Sequence, residues 1–350
     1  MAQALRLQEK RLQRRAFICG LAGLSLSAEE RRFLDEIRPA GLILFARNIG
    51  SPDQVRRLIA DAKAAAGGVG RMLVMVDQEG GRVQRLAAPH WPRYPAARCF
   101  GRLCGDGREK AKQAASSCAR MMAHDLHELG FNTTCAPVLD VPVPGADNII
   151  GDRAYGEDTE TVIALGAAVA DGLLAGGILP VMKHIPGHGR AMADSHLALP
   201  VVDTPLPELE AHDFAPFRAL RHIPMAMTAH VVFSAIDPAA PVTISKTAIA
   251  EAIRGSIGFD GLLMSDDLSM RALSGTIAER ARGAFEAGCD LALHCNGGMD
   301  EMAAVAAASP YLEGAPLRRF EAALAQLRKP EAFDRASAEA ARLESLAAAA

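Results

Sequence analysis

The stretch Gly261 to Met270, GLLMSDDLSM, decides the fold. An apolar run of four residues stops abruptly at Ser265-Asp266-Asp267, the pattern of a parallel strand covered on both faces. Its C-terminal end delivers carboxylates to a pocket mouth, which is where barrel enzymes keep their chemistry. Successive side chains of a strand point to opposite faces, so Asp266 and Asp267 cannot both aim at one bound molecule while the strand stays regular. One is expected to be the reacting group and the other a local support. The competing reading is a strand-to-helix turn in which Asp267 caps the next helix, a role that Asp often fills.

Outward from this strand the chain alternates short apolar runs with amphipathic segments, as a parallel sheet covered by helices requires. The runs predict strands at Phe17 to Gly20, Leu42 to Phe45, Met72 to Asp77, Thr133 to Asp140, Leu179 to His184, Met225 to Val231, Leu262 to Asp266 and Leu291 to Cys295. Helices are predicted at Ala28 to Ile37, Pro52 to Ala66, Glu109 to Leu129, Thr159 to Ala175, Pro207 to Leu220, Lys246 to Ser256, Ile277 to Ala287 and Met299 to Ala308. Eight such pairs give an α/β fold, a single-domain (β/α)8 TIM-type barrel over 16–330, with extra C-terminal helices. Residues 1–15, which carry Arg6, Lys10, Arg11, Arg14 and Arg15, read as a basic, solvated helical extension. Residues 331–350 form an Ala-rich helical tail: of the segments Leu317 to Arg328 and Ala332 to Leu346, both are expected to pack onto the barrel, and Ala347 to Ala350 to fray.

Composition narrows the function. A chain of 350 residues, half of them hydrophobic, can bury a barrel-sized core. The net charge of -3 provides no overall basic field, which argues against nucleic acid as a partner and for a small molecule. Seven cysteines, scattered and without a C-x-x-C pair, fit neither a disulfide framework nor a zinc ribbon and point to a reducing, cytoplasmic compartment. No apolar stretch is long enough to cross a bilayer, so no membrane association is expected. Arg14-Arg15-Ala16-Phe17 followed by ICGLAGLSLSA imitates an export signal, but removal at Ala28 would delete the first predicted strand, and Ser27-Ala28-Glu29-Glu30 reads as a helix start.

The polar residues just after each strand form one inventory. Strand three runs into DQEGGRVQR at 77 to 85, where two glycines allow close backbone approach and the acid with arginines could grip hydroxyls or an acyl group. Strand four ends at Asp140, and its long loop carries Asn148, Asp152 and Arg153. Strand five gives Lys183-His184-Ile185-Pro186-Gly187-His188-Gly189 and then Asp194-Ser195-His196. A carboxylate two residues before a histidine can fix its tautomer and raise its basicity, so His196 could move a proton. His230 and His294, at the ends of strands six and eight, read equally as satisfied wall residues or as ligands.

Two chemistries fit such an inventory. His184, His188, His230 and Asp266 could hold a metal in a barrel hydrolase, although the first strand ends without the H-x-H of familiar sites and Lys183 would sit where the ion belongs. A glycosidase needs instead a carboxylate nucleophile and a proton donor, which Asp266 and His196 can supply with no metal or other cofactor. Taken together, VDQEGGRVQRL at 76–86, GDRAYG at 151–156, KHIPGHG at 183–189, DSHLALP at 194–200 and GLLMSDDLSM at 261–270 closely resemble glycoside hydrolase family 3, and within it the bacterial single-domain β-N-acetylhexosaminidases of the NagZ type. The motifs follow the family's order from about Arg15 to Pro330.

The resemblance implies that Asp266 is the nucleophile of a covalent glycosyl-enzyme, and that His196, polarised by Asp194, is the general acid and then the general base. An imidazole suits the role because a carboxylate donor would face the nucleophile's own charge. It further implies that Asp77, Arg85, Arg153, Lys183 and His184 hold a non-reducing N-acetylglucosamine. The expected substrate is N-acetylglucosaminyl-1,6-anhydro-N-acetylmuramic acid, with or without peptide, in cytoplasmic cell-wall recycling, acted on by a monomer or weak homo-oligomer. Ile185 stands where the family often has Phe, and Arg190 to Ala193 is a variable stretch. A phosphorylase transferring the sugar to phosphate is the nearest alternative, then a β-glucosidase of the same family or a non-catalytic sugar-binding barrel.

Overall fold

The computed structural model describes residues 13–68 and 72–347. Among these, eight parallel strands close on themselves: β1 (Arg15–Gly20), β2 (Pro39–Leu44), β3 (Leu73–Val76), β4 (Thr133–Thr134), β5 (Leu179–Ile185), β6 (Met225–Thr228), β7 (Leu262–Asp267) and β8 (Leu291–His294). Neighbours in sequence are neighbours in the sheet, and closure comes from β1, which pairs Cys19 with Leu42 on one side and Phe17 with Ala292 on the other. The predicted first strand is thus a barrel stave flanked by β2 and β8.

Side-chain alternation sorts each strand between two apolar layers. Ala16 and Ile18, Leu73 and Met75, Leu179 and Val181, Met225 and Met227, Leu262 and Met264, and Leu291 and Leu293 fill the barrel interior. The alternate residues, among them Phe17, Cys19, Val74, Val76, Met182, Ala226 and Leu263, belong to the larger layer beneath the helices. Those helices are α1 (Ala28–Ile37), α2 (Pro52–Ala65), α3 (Ala97–Leu103), α4 (Arg108–Leu129), α5 (Thr159–Ala175), the short α6 (Leu206–Ala211) and α7 (Ala215–Ala219), α8 (Ile277–Ala287), α9 (Met299–Ala308), α10 (Gly314–Leu324) and α11 (Arg335–Ala347). Several start where the sequence signals it: Ser27 with Glu30, Ser51 with Gln54 and Thr276 with Glu279 each form a reciprocal capping box. Leu312 and, on α10, Phe320 join the interior layer and plug the barrel at its N-terminal end.

Several expectations are corrected. The fourth strand is two residues long rather than Thr133 to Asp140, because Pro137 has no N–H to give to a ladder. The chain still tracks β5, with the Val181 N–H donating to Ala136 O and the Leu139 N–H to Lys183 O, so Asp140 arrives at the same end. The predicted helix Pro207 to Leu220 is broken into α6 and α7, since Asp213 turns inward and accepts from Arg190 Nε at 2.7 Å. The segment predicted from Lys246 is wound as a wider π-helix, Ala248–Ser256. Arg15 is not part of a solvated extension: it opens β1, donates to Ser309 O at 2.7 Å and stacks on Tyr311. Arg14 of the same predicted extension likewise donates to Pro39 O, at 3.1 Å, while its residues 1–12 and residues 348–350 lie outside the described residues. Helix α11 packs along α4, with Ala338 and Ser345 buried, Lys110 bridged to Glu344 at 2.7 Å and Arg342 donating to Arg93 O.

On the side of the barrel away from the strand C-termini, Asp290 is 2% exposed and accepts from Arg254 at 2.9 Å, Arg319 at 3.1 Å and the Leu263 N–H at 2.9 Å. Removing one member of such a buried set leaves its partners uncompensated, at a cost of roughly 3–5 kcal/mol. Asp290→Ala is therefore expected to lower the unfolding midpoint markedly in a denaturant titration while the folded fraction retains wild-type KM. A variant as stable as wild type would show that this clamp is not structural.

Candidate active site

The inward rows do not stop where the apolar layer ends. Two residues beyond Met75 the same face carries Asp77 and then Glu79; beyond Val181 it carries Lys183; beyond Met264, Asp266; beyond Leu293, Cys295. These side chains form the top layer of the barrel and line one pocket of about 180 Å³, together with Arg82, Arg85, Arg153, His184, His188, Ser195 and His196. Below them the interior is packed, so the pocket is blind.

Its wall is a network of buried charge. Lys183 Nζ, with a side chain only 4% exposed, lies 2.6 Å from Glu79 and 3.2 Å from Asp77. Arg153, delivered by a short turn at Gly151–Arg153, makes two parallel bonds to Glu79 at 2.8 and 2.9 Å, and Arg85 reaches Asp77 at 3.2 Å. Burial alone would raise the Glu79 carboxyl, but the charge of Arg153, then of Lys183, outweighs it and brings the pKa down to about 2. Asp77 is likewise held below the carboxylate range, by Lys183 and Arg85 against burial, and Lys183 and Arg153 are held protonated by their acids. The glycine pair of the strand-three motif does what its sequence suggests: Gly80 and Gly81 have φ of 98° and 57°, and a Cβ on Gly80 would lie 2.1 Å from Pro95 O.

Strand five supplies the histidines. His184 donates from Nδ1 to Asp140 Oδ2 at 2.7 Å, while Asp140 Oδ1 accepts the N–H groups of His184 and His188. Asp140, fully buried, thereby fixes the tautomer of His184 and the path of the chain. His188 is pushed down to about 4 by burial and then by His184, so it is neutral at pH 7, and its Nε2 lies 3.1 Å from Ser195 Oγ. That contact and the Ala272 N–H to Ser195 O bond hold the loop that carries Asp194 and His196. His196 binds Asp194 Oδ1 through Nδ1 at 2.7 Å, which leaves Nε2 outside that contact, and its side chain is 59% exposed.

Asp266 and Asp267 divide as the alternation requires. Asp266 lines the pocket, and although burial would raise its carboxyl, His230, His184, the Asp267 N–H and Lys183 together keep it below the ordinary value. Asp267 accepts from the Ser269 N–H and hydroxyl and from the Cys295 N–H, fastening β7 to the end of β8. His230 closes a ring behind this pair: its Nε2 donates to Asp267 O at 3.0 Å, its Nδ1 meets Thr243 Oγ1 at 2.7 Å, Thr243 meets Thr228 Oγ1 at 2.7 Å, and Thr228 accepts the Asp266 N–H.

Of the predicted site residues, Asp266, His196, Asp77, Arg85, Arg153, Lys183 and His184 therefore share one pocket, and Asp194 stands behind His196. Sequence reasoning passed over Glu79, Asp140 and Ser195 as site residues; for Glu79 the signal was present in the period-two row Leu73, Met75, Asp77, Glu79. Among the described residues no three His, Cys, Asp or Glu side chains converge as a metal-binding group, and the imidazoles of the alternative metal set are engaged by Asp140, Ser195 and Thr243.

The profile of the glycosyl hydrolase family 3 N terminal domain matches residues 6–327. A beta-hexosaminidase of Alkalilimnicola ehrlichii is 42% identical over 281 residues, 79% of each chain, and one of Methylococcus capsulatus is 42% identical over 280 residues, 79% of this chain and 81% of the relative. The crystal structure of NagZ from Neisseria gonorrhoeae in complex with N-trifluoroacetyl-D-glucosamine superposes with a TM-score of 0.86 at 34% identity, covering 97% of this chain and 99% of that one.

The acid–base balance of the pocket gives a prediction. The folded-state pKa of Glu79 is depressed, so its contribution to stability is present above the unfolded value of about 4.3 and is lost as pH falls towards about 2. Glu79→Gln, which strands Arg153 and leaves Lys183 with Asp77 alone, is expected to cost roughly 3 kcal/mol or more at pH 7. Its stability should also decline less steeply than that of wild type between about pH 4 and 2. Parallel pH–stability curves from the two proteins would refute the pairing.

Proposed function

The chain belongs to glycosyl hydrolase family 3, and from that premise we propose that it cleaves N-acetylglucosamine from 1,6-anhydro-N-acetylmuramic acid, with or without peptide, with retention of configuration. It is a glycoside hydrolase of the β-N-acetylhexosaminidase kind and acts on the non-reducing end. The observation that carries the mechanism is the presence in one blind pocket of Asp266, on a rigid strand, and of His196, its Nδ1 held by Asp194.

In the proposed sequence the Asp266 carboxylate attacks the anomeric carbon as the bond to the leaving oxygen breaks, and His196 Nε2–H protonates that oxygen. A glycosyl ester on Asp266 results. Water then attacks the same carbon, gives a proton to His196 and frees Asp266, and two inversions amount to retention. The depressed pKa of Asp266 keeps it ionised for the attack. Asp77, Arg85, Lys183 and His184 hold the sugar hydroxyls, and Arg153 acts with Glu79 as the wall behind them. Cleavage in a cytoplasmic recycling route is supported by seven cysteines that are all free, four of them, Cys19, Cys135, Cys289 and Cys295, in or beside barrel strands and buried. No helix among the described residues is long and apolar enough to cross a membrane.

The initial rate on 4-nitrophenyl β-N-acetylglucosaminide, beside the matching glucoside, tests the reading: the acetamido sugar is expected to be preferred, with no need for phosphate. Formation of the sugar 1-phosphate would identify a phosphorylase instead. Asp266→Ala is expected to lower kcat by a factor on the order of 10⁴ or more while still binding substrate. Normal turnover in that variant would remove Asp266 from the chemistry. His196→Ala should lose roughly 10²-fold or more on the disaccharide and much less on the aryl glycoside, whose leaving group needs little protonation. Equal losses would deny His196 the role of acid.

A further inference from the structure

Asp77 and Arg85 stand at the two ends of one small hairpin, in which Gln78–Gly80 pairs with Val83–Gln84. The hairpin leans on the segment from Pro92 to Ala96. The Gly81 N–H donates to Tyr94 O at 3.0 Å, while Gln84 accepts the Tyr94 N–H at 2.9 Å and donates to Pro92 O at 2.8 Å. Gly81 also packs so closely that a Cβ there would lie 2.7 Å from the Ala96 Cβ. Where that segment lies therefore decides where Asp77 and Arg85 stand in the pocket. Two outer helices hold it. From α4, Asp125 accepts the Tyr94 hydroxyl at 2.7 Å, and from α11, Arg342 donates to Arg93 O. Arg342 is 7% exposed, and the anion that a buried guanidinium requires is Glu339, one turn earlier, at 2.8 Å. Helix α11 lies beyond residues 6–327, the stretch matched by the family profile.

We infer that α11 is a positioning element of the sugar site and that Arg342 is the residue through which it acts: by fixing Arg93 O it sets the seat of the hairpin, and with it the placement of Asp77 and Arg85. The inference rests on the reading above, in which those two side chains hold the sugar. Arg342 lines no part of the pocket, so its influence passes through Arg93 O, the Tyr94 backbone and the hairpin in turn. The helix has a second polar attachment, the ion pair of Lys110 with Glu344 at 2.7 Å, which is about half exposed and joins α11 to α4 rather than to that segment. The two attachments therefore separate holding the helix in place from seating the hairpin. Groups that grip sugar hydroxyls do so before and during the reaction alike, so a displaced hairpin weakens binding more than it slows the chemical step. Such sites lose function when a supporting contact lets them drift by a fraction of an ångström.

The experiment measures KM and kcat on 4-nitrophenyl β-N-acetylglucosaminide, the inhibition constant of free N-acetylglucosamine, and the melting midpoint. Arg342→Met fills the same space without a donor, whereas Arg342→Lys keeps one. Arg342→Met is expected to raise KM and the inhibition constant about fivefold with kcat within about twofold of wild type, and Arg342→Lys to restore both constants to within about twofold. Lys110→Ala, which cuts the other attachment, should keep the wild-type KM. Arg342→Met with a wild-type KM and inhibition constant overturns the inference, whatever its melting midpoint, because the contact would then serve stability alone. An equal rise in Arg342→Lys, or in Lys110→Ala, also overturns it. Should Arg342→Met not fold, Glu339→Gln decides: it loosens the Arg342 fork from a half-exposed position, a KM about twofold higher is expected, and a wild-type KM overturns the inference. Arg85→Ala separates the two levels of the argument. If it raises KM and Arg342→Met does not, the inference falls and the reading of the sugar site stands; if Arg85→Ala leaves KM unchanged, the reading of Arg85 falls and takes the inference with it.

Discussion

An ammonium group cannot be buried without anions, and in this molecule that constraint organises the site. Lys183 sits almost wholly inside the barrel mouth, and its charge is met by Asp77 and Glu79 from the segment just after β3. Those two acids are in turn shared with Arg85 and with Arg153 from the long loop after β4. Three separate stretches of chain are thus drawn to one point by electrostatic necessity, and the pocket is the space they enclose. Because these charges are paired before any sugar arrives, little reorganisation is left for binding, which is the condition under which polar groups act most strongly on a developing charge.

The remaining parts of the proposed site are supported at second remove. The ring through Thr228, Thr243 and His230 grips the backbone of Asp266 and Asp267 rather than their carboxyls, so orientation is fixed without consuming the oxygen atoms that chemistry needs. Asp140 plays the same part for His184 and His188. Such outer contacts hold a side chain in one rotamer within a packed frame.

The barrel was legible in the sequence because most staves carry a short apolar run, and the runs are separated by segments with helical period and recognisable caps. Asp266, Lys183 and Asp77 were legible because each directly follows such a run, and His196 because an Asp stands two residues before it. Glu79 was hidden by the turn residues around it, since the strand row seemed to end at Asp77. The short β4 was hidden because Val138 and Leu139 look like strand whatever Pro137 does to the ladder. The split between α6 and α7 depends on Asp213 meeting Arg190 from another loop. Pairings of that kind have no local periodicity to betray them.

The two groups proposed to react differ in how they are held. Asp266 belongs to a stave of the barrel, whereas His196 rides on a loop fastened by a few bonds, chiefly at Ser195 and Arg190, and stands half in solvent. The proposed nucleophile is therefore inherited with the architecture, while the proposed proton donor is an exchangeable fitting. Lengthening, shortening or replacing the segment between Gly189 and Pro200 would alter the donor's identity, its acidity and the leaving groups it tolerates without disturbing a single barrel hydrogen bond. Diversification of leaving-group chemistry on this scaffold has a ready location, and it lies outside the core.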